Sequence, residues 1–328
     1  MKKENTMSRF EGIWIPVVTP FRNGLVDLDA TQRLAVDLVD SGVHGLVVCG
    51  TTGEAATLDE SEQTAMLCAV LEAVGSNFPV AMGIAGSDTR EVVRKVARFN
   101  QFQTSGYLIT PPSYVCPSQQ GILLHFQAIS AATDRSIILY NIPARTGVNM
   151  EQATVMALAA DPNFVAIKQC GGNISRIADL LNQTSLKVLC GDDALIFATL
   201  CLGGHGAISA AAHIRPDLYV RIFDLVRAGK IEQARATFNA LLPLIQHLFS
   251  EPNPGPVKAA LALQGRIHGE LRLPMMAISQ TGKDKLAAIL ERVMALPTWP
   301  TLSDNVNFKR RTIHRPRVLQ VVPDFDGR

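Results

Sequence analysis

The sequence predicts an α/β fold, a (β/α)8 TIM barrel with a C-terminal helical appendage. Short apolar, β-branched runs recur through the first two-thirds of the chain, and each precedes a longer segment with apolar residues at three- and four-residue spacing. The runs begin about 20 to 35 residues apart, which is the length of one strand–helix unit. Eight such units close most economically into a barrel, because parallel strands need both faces covered. A doubly wound open sheet is the alternative on the same periodicity.

The pattern assigns the elements in order. The predicted strands are Ile13–Val18, Gly45–Cys49, Pro79–Gly83, Gly106–Thr110, Ile137–Tyr140, Val165–Lys168, Lys187–Cys190 and Gly206–Ser209. The helices predicted between strands are Asp29–Ser41, Ser61–Val74, Thr89–Phe102, Gln119–Ala132, Glu151–Ala160 and Ile174–Leu181. Helices are also predicted over Pro216–Ala228, Ile231–Phe249, Gly255–Leu263 and Lys283–Ala295. We therefore divide the chain into a barrel catalytic domain (1–229), a C-terminal helical region (230–297) and a tail without predicted structure (298–328).

The composition excludes several classes of protein. Of the 328 residues 47% are hydrophobic and the net charge is only +2, which is typical of a large core and argues against a nucleic-acid surface. No stretch approaches the roughly 20 apolar residues of a membrane span, and the N-terminus lacks the apolar core of a signal peptide. The six cysteines form no C-x-x-C pair and no metal-like group with histidine. We therefore expect a cytoplasmic protein without a metal site, and we expect the basic run Lys309–Arg317 to be solvated.

The residue that closes the sixth predicted strand points to the chemistry. In a barrel, the active site lies at the C-terminal ends of the strands, and Lys168 ends the apolar run Phe164–Ile167 there. Burial of an amine disfavours its charged form, so we expect a free lone pair that can add to a ketone and form an imine. A lone lysine at a strand end is more typically a snorkelling side chain.

Four further residues at predicted strand ends favour imine chemistry over that structural interpretation. Tyr140 could shuttle the protons that formation and dehydration of a carbinolamine require, and Thr51 could relay them onward. The amides of Thr51 and Thr52, in a glycine-flanked turn, could hold a carboxylate. Arg145 follows a turn that contains a proline, and its guanidinium could form two parallel hydrogen bonds to a second carboxylate. Together with Lys168, these residues predict a Schiff-base-forming lyase acting on a 2-keto acid such as pyruvate.

The motifs around these residues resemble the dihydrodipicolinate synthase/N-acetylneuraminate lyase family of class I aldolases. The matching motifs are GTTGE (50–54), YNIPARTG (140–147), the Ile167-Lys168 pair, GDD (191–193), GGHGAIS (203–209), EPNPGPVK (251–258) and LRLPM (271–275). The resemblance runs in order over residues 9 to 297. It implies condensation of pyruvate with aspartate semialdehyde, towards diaminopimelate and lysine. It also implies that no metal or organic cofactor is needed, and that the chain assembles as a homo-oligomer, a dimer or tetramer.

The resemblance assigns catalytic roles to four positions. Lys168 corresponds to the imine-forming lysine, Tyr140 to the relay tyrosine and Thr51 to a relay threonine. Tyr114 corresponds to a tyrosine that reaches the relay of the neighbouring subunit. That assignment counts back from Pro117, because the loop from Pro111 carries one residue more than the family pattern.

The resemblance also assigns substrate-binding roles to four positions. Thr52 corresponds to the threonine that binds the pyruvate carboxylate, and Arg145 to the arginine that receives the carboxylate of the second substrate. Gly191 and Ile208 correspond to residues that line the pocket. Two departures bear on function: Gln169-Cys170 replaces a Glu-Ala-like pair after the lysine, and residues of the lysine-feedback site are not retained.

Three other functions stay open from the sequence. A related pyruvate-dependent aldolase could act on a keto-deoxy sugar acid, although Arg145 suits a short carboxylated partner better than a long polyol. An inactive barrel could merely bind a keto acid. The glycine-rich segment 203–206 could bind phosphate, but it precedes the eighth strand whereas barrel phosphate sites follow it, which favours a packing role.

Overall fold

A computed structural model describes residues 10–298, in which eight parallel strands form a closed barrel. Its strands are β1 (Gly12–Pro16), β4 (Gly45–Val48), β5 (Val80–Ile84), β6 (Gly106–Ile109), β7 (Ser136–Asn141), β8 (Phe164–Gln169), β9 (Lys187–Cys190) and β10 (Gly206–Ile208). Each strand pairs with the next of these in the chain, and β10 pairs with β1 to close the ring. The predicted barrel is therefore confirmed, and the open sheet is excluded.

Helices follow the strands and cover the outside of the barrel. They are α1 (Leu28–Asp40), α2 (Glu60–Val74), α3 (Thr89–Phe99), α4 (Gln119–Ser130), α5 (Pro143–Thr146), α6 (Gln152–Ala159), α7 (Ile174–Gln183), α8 (Ile196–Cys201) and α9 (Pro216–Arg227). Several begin at a capping side chain. In α2, Asp59 accepts from the first turn while Glu62 reaches back to the Asp59 amide, which forms a capping box.

Three further helices form the C-terminal appendage: α10 (Ile231–Leu248), α11 (Gly255–Leu263) and α12 (Gln280–Met294). The rings of Phe197 and Phe238 stack 5.7 Å apart and join α10 to α8. Arg215 donates to the carbonyl of Val293 at 2.7 Å and ties α12 to the start of α9. The proposed boundary at 229/230 lies in the turn between α9 and α10. The predicted tail and its basic run lie outside the described residues, apart from residue 298.

All eight predicted strands are present, but the sequence did not predict four short elements. Strands β2 (Phe21–Arg22) and β3 (Leu25–Val26) form a hairpin around Asn23-Gly24, both with positive φ. Two-residue strands are too short to show a period. The sequence did not predict helices α5 and α8, because they too are short. Helix α8 is also apolar on nearly every side, so it shows no amphipathic pattern.

The interior of the barrel is filled by a packed core of apolar side chains. Every barrel strand contributes at least one side chain to it, including Trp14, Val47, Ala81, Leu108, Ile138, Ala166, Leu189 and Ile208. Phe10 stacks on Trp14, with ring centroids 5.3 Å apart, at the N-terminal end. A second, larger cluster fills the space between the strands and the helices. Within residues 10–298, no helix is both long and apolar enough to cross a membrane.

Candidate active site

Lys168 and Tyr140 lie side by side at the C-terminal end of the barrel. They are register partners on the neighbouring strands β7 and β8, and both side chains are buried, with 6% and 4% of their surface exposed. The Lys168 Nζ atom lies 4.2 Å from the centre of the Tyr140 ring. Lys168 follows Ala166 by two residues, so alternation along β8 directs its side chain into the barrel interior.

The charges around this pair correct one expectation from the sequence. Burial lowers the pKa of Lys168, but Tyr140 and Cys170 raise it more, so this pKa lies above its ordinary value. Burial raises the pKa of Tyr140 and outweighs the opposing effects of Lys168 and the Thr51 hydroxyl. The resting amine is therefore an ammonium, and burial alone does not free its lone pair. A proton must leave Lys168 before it attacks.

Gly191 makes room for the Lys168 side chain at the end of β9. A Cβ atom there would lie 2.9 Å from Lys168 Cε and would overlap Cys170 Sγ. Cys170 and Ile208 are buried beside the Tyr140 ring in the same inner cluster. Burial raises the pKa of the Cys170 thiol to about 12. The departure from the family pattern at Cys170 thus places a neutral thiol on the pocket floor, while the Gln169 amide accepts a hydrogen bond from Asn141.

The threonine turn (Gly50–Glu54) follows β4, which lies opposite β8 in the ring of strands. Gly53 and Glu54 donate their amides to the carbonyls of Gly50 and Thr51, at 3.0 and 3.1 Å. Within residues 10–298, the amides of Thr51 and Thr52 donate to no protein acceptor. Two adjacent free amides on a tight turn form a nest for an anion. Both amides are therefore free of protein acceptors, and carboxylate binding at this turn stays a prediction.

Glu54 anchors the threonine turn to the C-terminal appendage. Its carboxylate lies 2.7 Å from the Nζ atom of Lys258 on α11, and it accepts the Arg272 amide at 3.3 Å. Lys258 also donates to the carbonyl of Thr19 at 2.8 Å. The main partner of Glu54 is thus an ammonium 204 residues away in the chain. The sequence did not identify Lys258, because no local pattern around it indicates that its ammonium is buried.

Asn253, in the same C-terminal motif as Lys258, connects two of the predicted substrate-binding residues. Its side-chain amide donates to Thr52 Oγ1 at 3.0 Å, and its carbonyl accepts from Arg145 Nη2 at 3.4 Å. Arg145 lies on the exposed one-turn helix α5 at the rim of the pocket. Within the described chain, its guanidinium forms no ion pair. It therefore offers an unpaired positive charge to a ligand.

Asp193 lies behind the lysine, at the start of the loop between β9 and α8. It accepts hydrogen bonds from the Ser209 hydroxyl and, at 3.0 Å, from the Ala211 amide. Burial raises the pKa of Asp193 to about 6. Its negative charge is one of the influences that raise the pKa of Lys168.

The structure does not bring Tyr114 to the other predicted site residues. Its side chain is 93% exposed, and its backbone adopts a left-handed conformation with φ of 71°. Its amide donates to the carbonyl of Thr146 at 3.3 Å, which fixes the base of the loop. Contacts do connect the others: Lys168 and Thr51 lie against Tyr140, Gly191 lies against Lys168, and Ile208 shares the inner cluster with Tyr140. Thr52 and Arg145 are joined through Asn253.

Two other kinds of site were considered from the sequence, a metal site and a phosphate site. In the part of the chain that the structure describes, no group of three or more His, Cys, Asp or Glu side chains could hold a metal ion. In the glycine-rich segment, a Cβ atom on Gly206 would overlap the backbone of Gly12 where β10 pairs with β1. This close contact agrees with the packing role expected from the sequence.

The fold and this site define a class: a (β/α)8-barrel lyase whose pocket is built around a buried lysine and tyrosine. The sequence model of the dihydrodipicolinate synthetase family matches residues 9–293. The chain therefore belongs to this family.

Curated relatives agree with the family match. The 4-hydroxy-tetrahydrodipicolinate synthase of Thermodesulfovibrio yellowstonii is 38% identical over 283 residues, which cover 86% of this chain and 97% of the relative. The enzyme of that name from Syntrophus aciditrophicus is 37% identical over 284 residues, with 86% and 98% coverage.

Solved structures show the same similarity in three dimensions. A monomeric variant of dihydrodipicolinate synthase superposes with a TM-score of 0.87 at 35% identity, covering 89% of this chain and 99% of that one. The dihydrodipicolinate synthase of Thermotoga maritima superposes with a TM-score of 0.86 at 36% identity, covering 88% and 100%.

Proposed function

We propose that this protein condenses pyruvate with L-aspartate semialdehyde through an imine on Lys168. It is a 4-hydroxy-tetrahydrodipicolinate synthase, a lyase of lysine and diaminopimelate biosynthesis. The observation that carries the proposal is the placement of the Lys168 amine 4.2 Å from the centre of the Tyr140 ring, inside the barrel. The names of the relatives support the choice of substrates.

Pyruvate binds with its carboxylate on the threonine turn and its ketone towards Lys168. The free amides of Thr51 and Thr52 supply two donors. Because the resting amine is an ammonium, Tyr140 takes a proton from Lys168 while its own proton passes through the Thr51 hydroxyl to solvent. The free amine adds to the ketone carbon and gives a carbinolamine. Tyr140 then protonates the departing hydroxyl, which leaves as water and yields the imine.

The imine makes the pyruvate methyl group acidic. Loss of a methyl proton gives an enamine, whose carbon attacks the aldehyde of the second substrate. Arg145, exposed and without an ion pair at the rim, binds the carboxylate of that substrate. The amino group of the second substrate then displaces Lys168 from the imine carbon, which closes a six-membered ring and frees the enzyme. The protonated imine is the electron sink, so the proposal calls for no metal or organic cofactor.

We further propose that the protein is a cytoplasmic homo-oligomer, a dimer or tetramer. The exposed Tyr114 and its half-exposed neighbour Val115 support this proposal, because a second copy would cover them and receive Tyr114 into its relay. All six cysteines are free thiols, which suits a reducing compartment. Analytical ultracentrifugation of the wild type and of Tyr114→Ala tests the assembly. A monomeric wild type with full activity would contradict the role given to Tyr114.

Reductive trapping tests the imine. Treatment with pyruvate and borohydride should add one reduced pyruvate to the peptide that contains Lys168. Lys258, the other fully buried lysine among the described residues, should stay unmodified because Glu54 holds it. Lys168→Arg should abolish trapping and turnover. Lys187→Arg is the matched control, since Lys187 pairs with Glu11 at the opposite end of the barrel. Absence of any adduct on Lys168 would rule out the mechanism.

A substrate panel tests the choice of acceptor. Pyruvate with L-aspartate semialdehyde should turn over, and Arg145→Gln should raise KM for the semialdehyde while trapping of pyruvate continues. Turnover with keto-deoxy sugar acids alone would make the protein a related aldolase. Trapping without turnover of any member would indicate a barrel that only binds keto acids.

A further inference from the structure

Asn253 is placed between the residues that would bind the two substrate carboxylates. Its side chain contacts Thr52 and its main chain contacts Arg145, although both partners come from distant parts of the barrel. Resting on the proposed function, we propose that Asn253 is a positioning residue that fixes the Thr52 hydroxyl as a hydrogen-bond donor to the pyruvate carboxylate.

The direction of one hydrogen bond carries the proposal. The Asn253 Nδ2 atom donates to Thr52 Oγ1 at 3.0 Å, so the oxygen accepts and the hydroxyl hydrogen points elsewhere, while Asn253 Oδ1 is buried without a hydrogen-bond partner among the described residues. Within the described residues, the Thr52 hydroxyl donates to no protein acceptor. With the free amides of Thr51 and Thr52, the turn then presents three donors to one anion. A hydroxyl without this neighbour could rotate and lose that role.

The threonine turn does not need Asn253 to keep its shape. Glu54 is held by the buried ammonium of Lys258, and the carbonyl of Gly53 accepts the Thr19 hydroxyl at 2.6 Å. These contacts anchor the turn on both sides. Loss of the Asn253 side chain should therefore change substrate binding far more than folding.

Asn253 is itself held rigidly. It lies between Pro252 and Pro254, whose rings restrict the backbone on both sides. Its carbonyl accepts from Arg145 whatever side chain the residue carries. Substitution of the side chain should therefore separate the two substrates: binding of pyruvate should weaken while the contact with Arg145 remains.

Steady-state kinetics test this separation. Asn253→Ala should raise KM for pyruvate about tenfold, as expected for a misdirected hydrogen bond to a charged group. It should leave kcat and KM for the semialdehyde within about twofold of wild type. Asn253→Asp should raise KM for pyruvate more, because its carboxylate repels the substrate and turns the hydroxyl towards itself. Asn163→Ala is the matched control: its half-buried amide bonds Ser130 at the opposite end of the barrel, and KM should not change.

A double-mutant cycle separates positioning from general damage. In a Thr52→Val background, Asn253→Ala should add less than about twofold to KM for pyruvate, because the hydroxyl it positions is gone. Should Asn253→Ala fail to fold, Asn253→Ser replaces it with the same expectation. An unchanged KM for pyruvate, equal effects on both substrates, or additive effects with Thr52→Val would overturn the proposal. Failure of wild-type trapping on Lys168 would instead overturn the proposed function.

Discussion

Glu54 and Lys258 form an ion pair with 2.7 Å between oxygen and nitrogen, and their side chains are 1% and 0% exposed. The pair joins the turn that follows β4 to helix α11, so the appendage is bonded to the active site. Lys258 also lies 4.3 Å from the centre of the Phe21 ring, and Arg272 contacts the same ring at 4.5 Å. The appendage therefore forms part of the support of the site.

Removal of one partner of this pair should destabilise the protein strongly. Lys258→Met leaves the Glu54 carboxylate buried without its main partner, so the free energy of unfolding should fall by about 3–5 kcal/mol. Urea denaturation of the wild type and the variant measures this loss. The double variant Glu54→Gln/Lys258→Met should recover part of it, because no buried charge remains.

An exposed ion pair provides the control for that experiment. Arg94 and Glu91 lie 2.9 Å apart on the surface of α3, with side chains 73% and 45% exposed. Arg94→Ala should leave the unfolding transition unchanged within error, since solvent screens such a pair. Equal losses for Lys258→Met and Arg94→Ala would contradict the importance given to burial.

Asp193 should make the stability of the protein depend on pH in a defined window. Burial raises its pKa from 3.8 to about 6, so the folded protein binds a proton more tightly than the unfolded chain. The stability that this group contributes is complete below pH 3.8 and is lost as pH rises through about 6. Relative to Asp193→Asn, the wild type should lose on the order of 3 kcal/mol across this window.

The comparison with Asp193→Asn isolates this group from other titrations. Burial lowers the pKa of His213 and of His125 to about 4, which has the opposite sign: their contribution is lost as pH falls. Both histidines are present in both proteins, so their effects cancel in the difference. Urea denaturation from pH 4 to pH 8 measures it. Parallel stability curves for the two proteins would show that Asp193 does not titrate in this range.

The sequence predicted the barrel and the lysine but not the contacts that support them. Strands such as β8 have a strong local signal, because a run of apolar residues must be buried whatever surrounds it. The direction of the pKa shift of Lys168 could not be predicted, since it depends on how Tyr140 and Cys170 pack around the amine. The Glu54–Lys258 pair spans 204 residues, and no local pattern indicates such a pairing.

Cys170 should be chemically silent although it is buried in the same cluster as Tyr140. Burial raises the pKa of its thiol to about 12, so it stays protonated at neutral pH and Lys168 is the only nucleophile on the pocket floor. Iodoacetamide at pH 8 should leave Cys170 unmodified in the folded protein. The exposed Cys201 should react, and both should react in urea. Alkylation of Cys170 without unfolding, measured by peptide mass spectrometry, would show that the pocket admits reagents to an ionised thiol.

Gly191 should tolerate no side chain, because the lysine occupies that space. The Cβ atom of Gly191→Ala would lie 2.9 Å from Lys168 Cε and would overlap Cys170 Sγ, so Lys168 must move to accommodate it. A displacement of about 1 Å from the reacting geometry lowers rates roughly a hundredfold. We therefore expect kcat/KM to fall by that factor and trapping of pyruvate by borohydride to slow in parallel.

A second variant separates the two contacts of Gly191. Cys170→Ala removes the sulfur that the new methyl group would overlap but leaves the contact with Lys168 Cε. The double variant Gly191→Ala/Cys170→Ala should therefore regain stability to heat without regaining turnover. Gly203→Ala is not a matched control, because Gly203 has a φ of 94° that strains any side chain. Gly121→Ala on α4, outside the barrel, is the matched control, since its nearest neighbour lies 3.3 Å from the added methyl group. Full turnover by Gly191→Ala would show that Lys168 reaches pyruvate by another path.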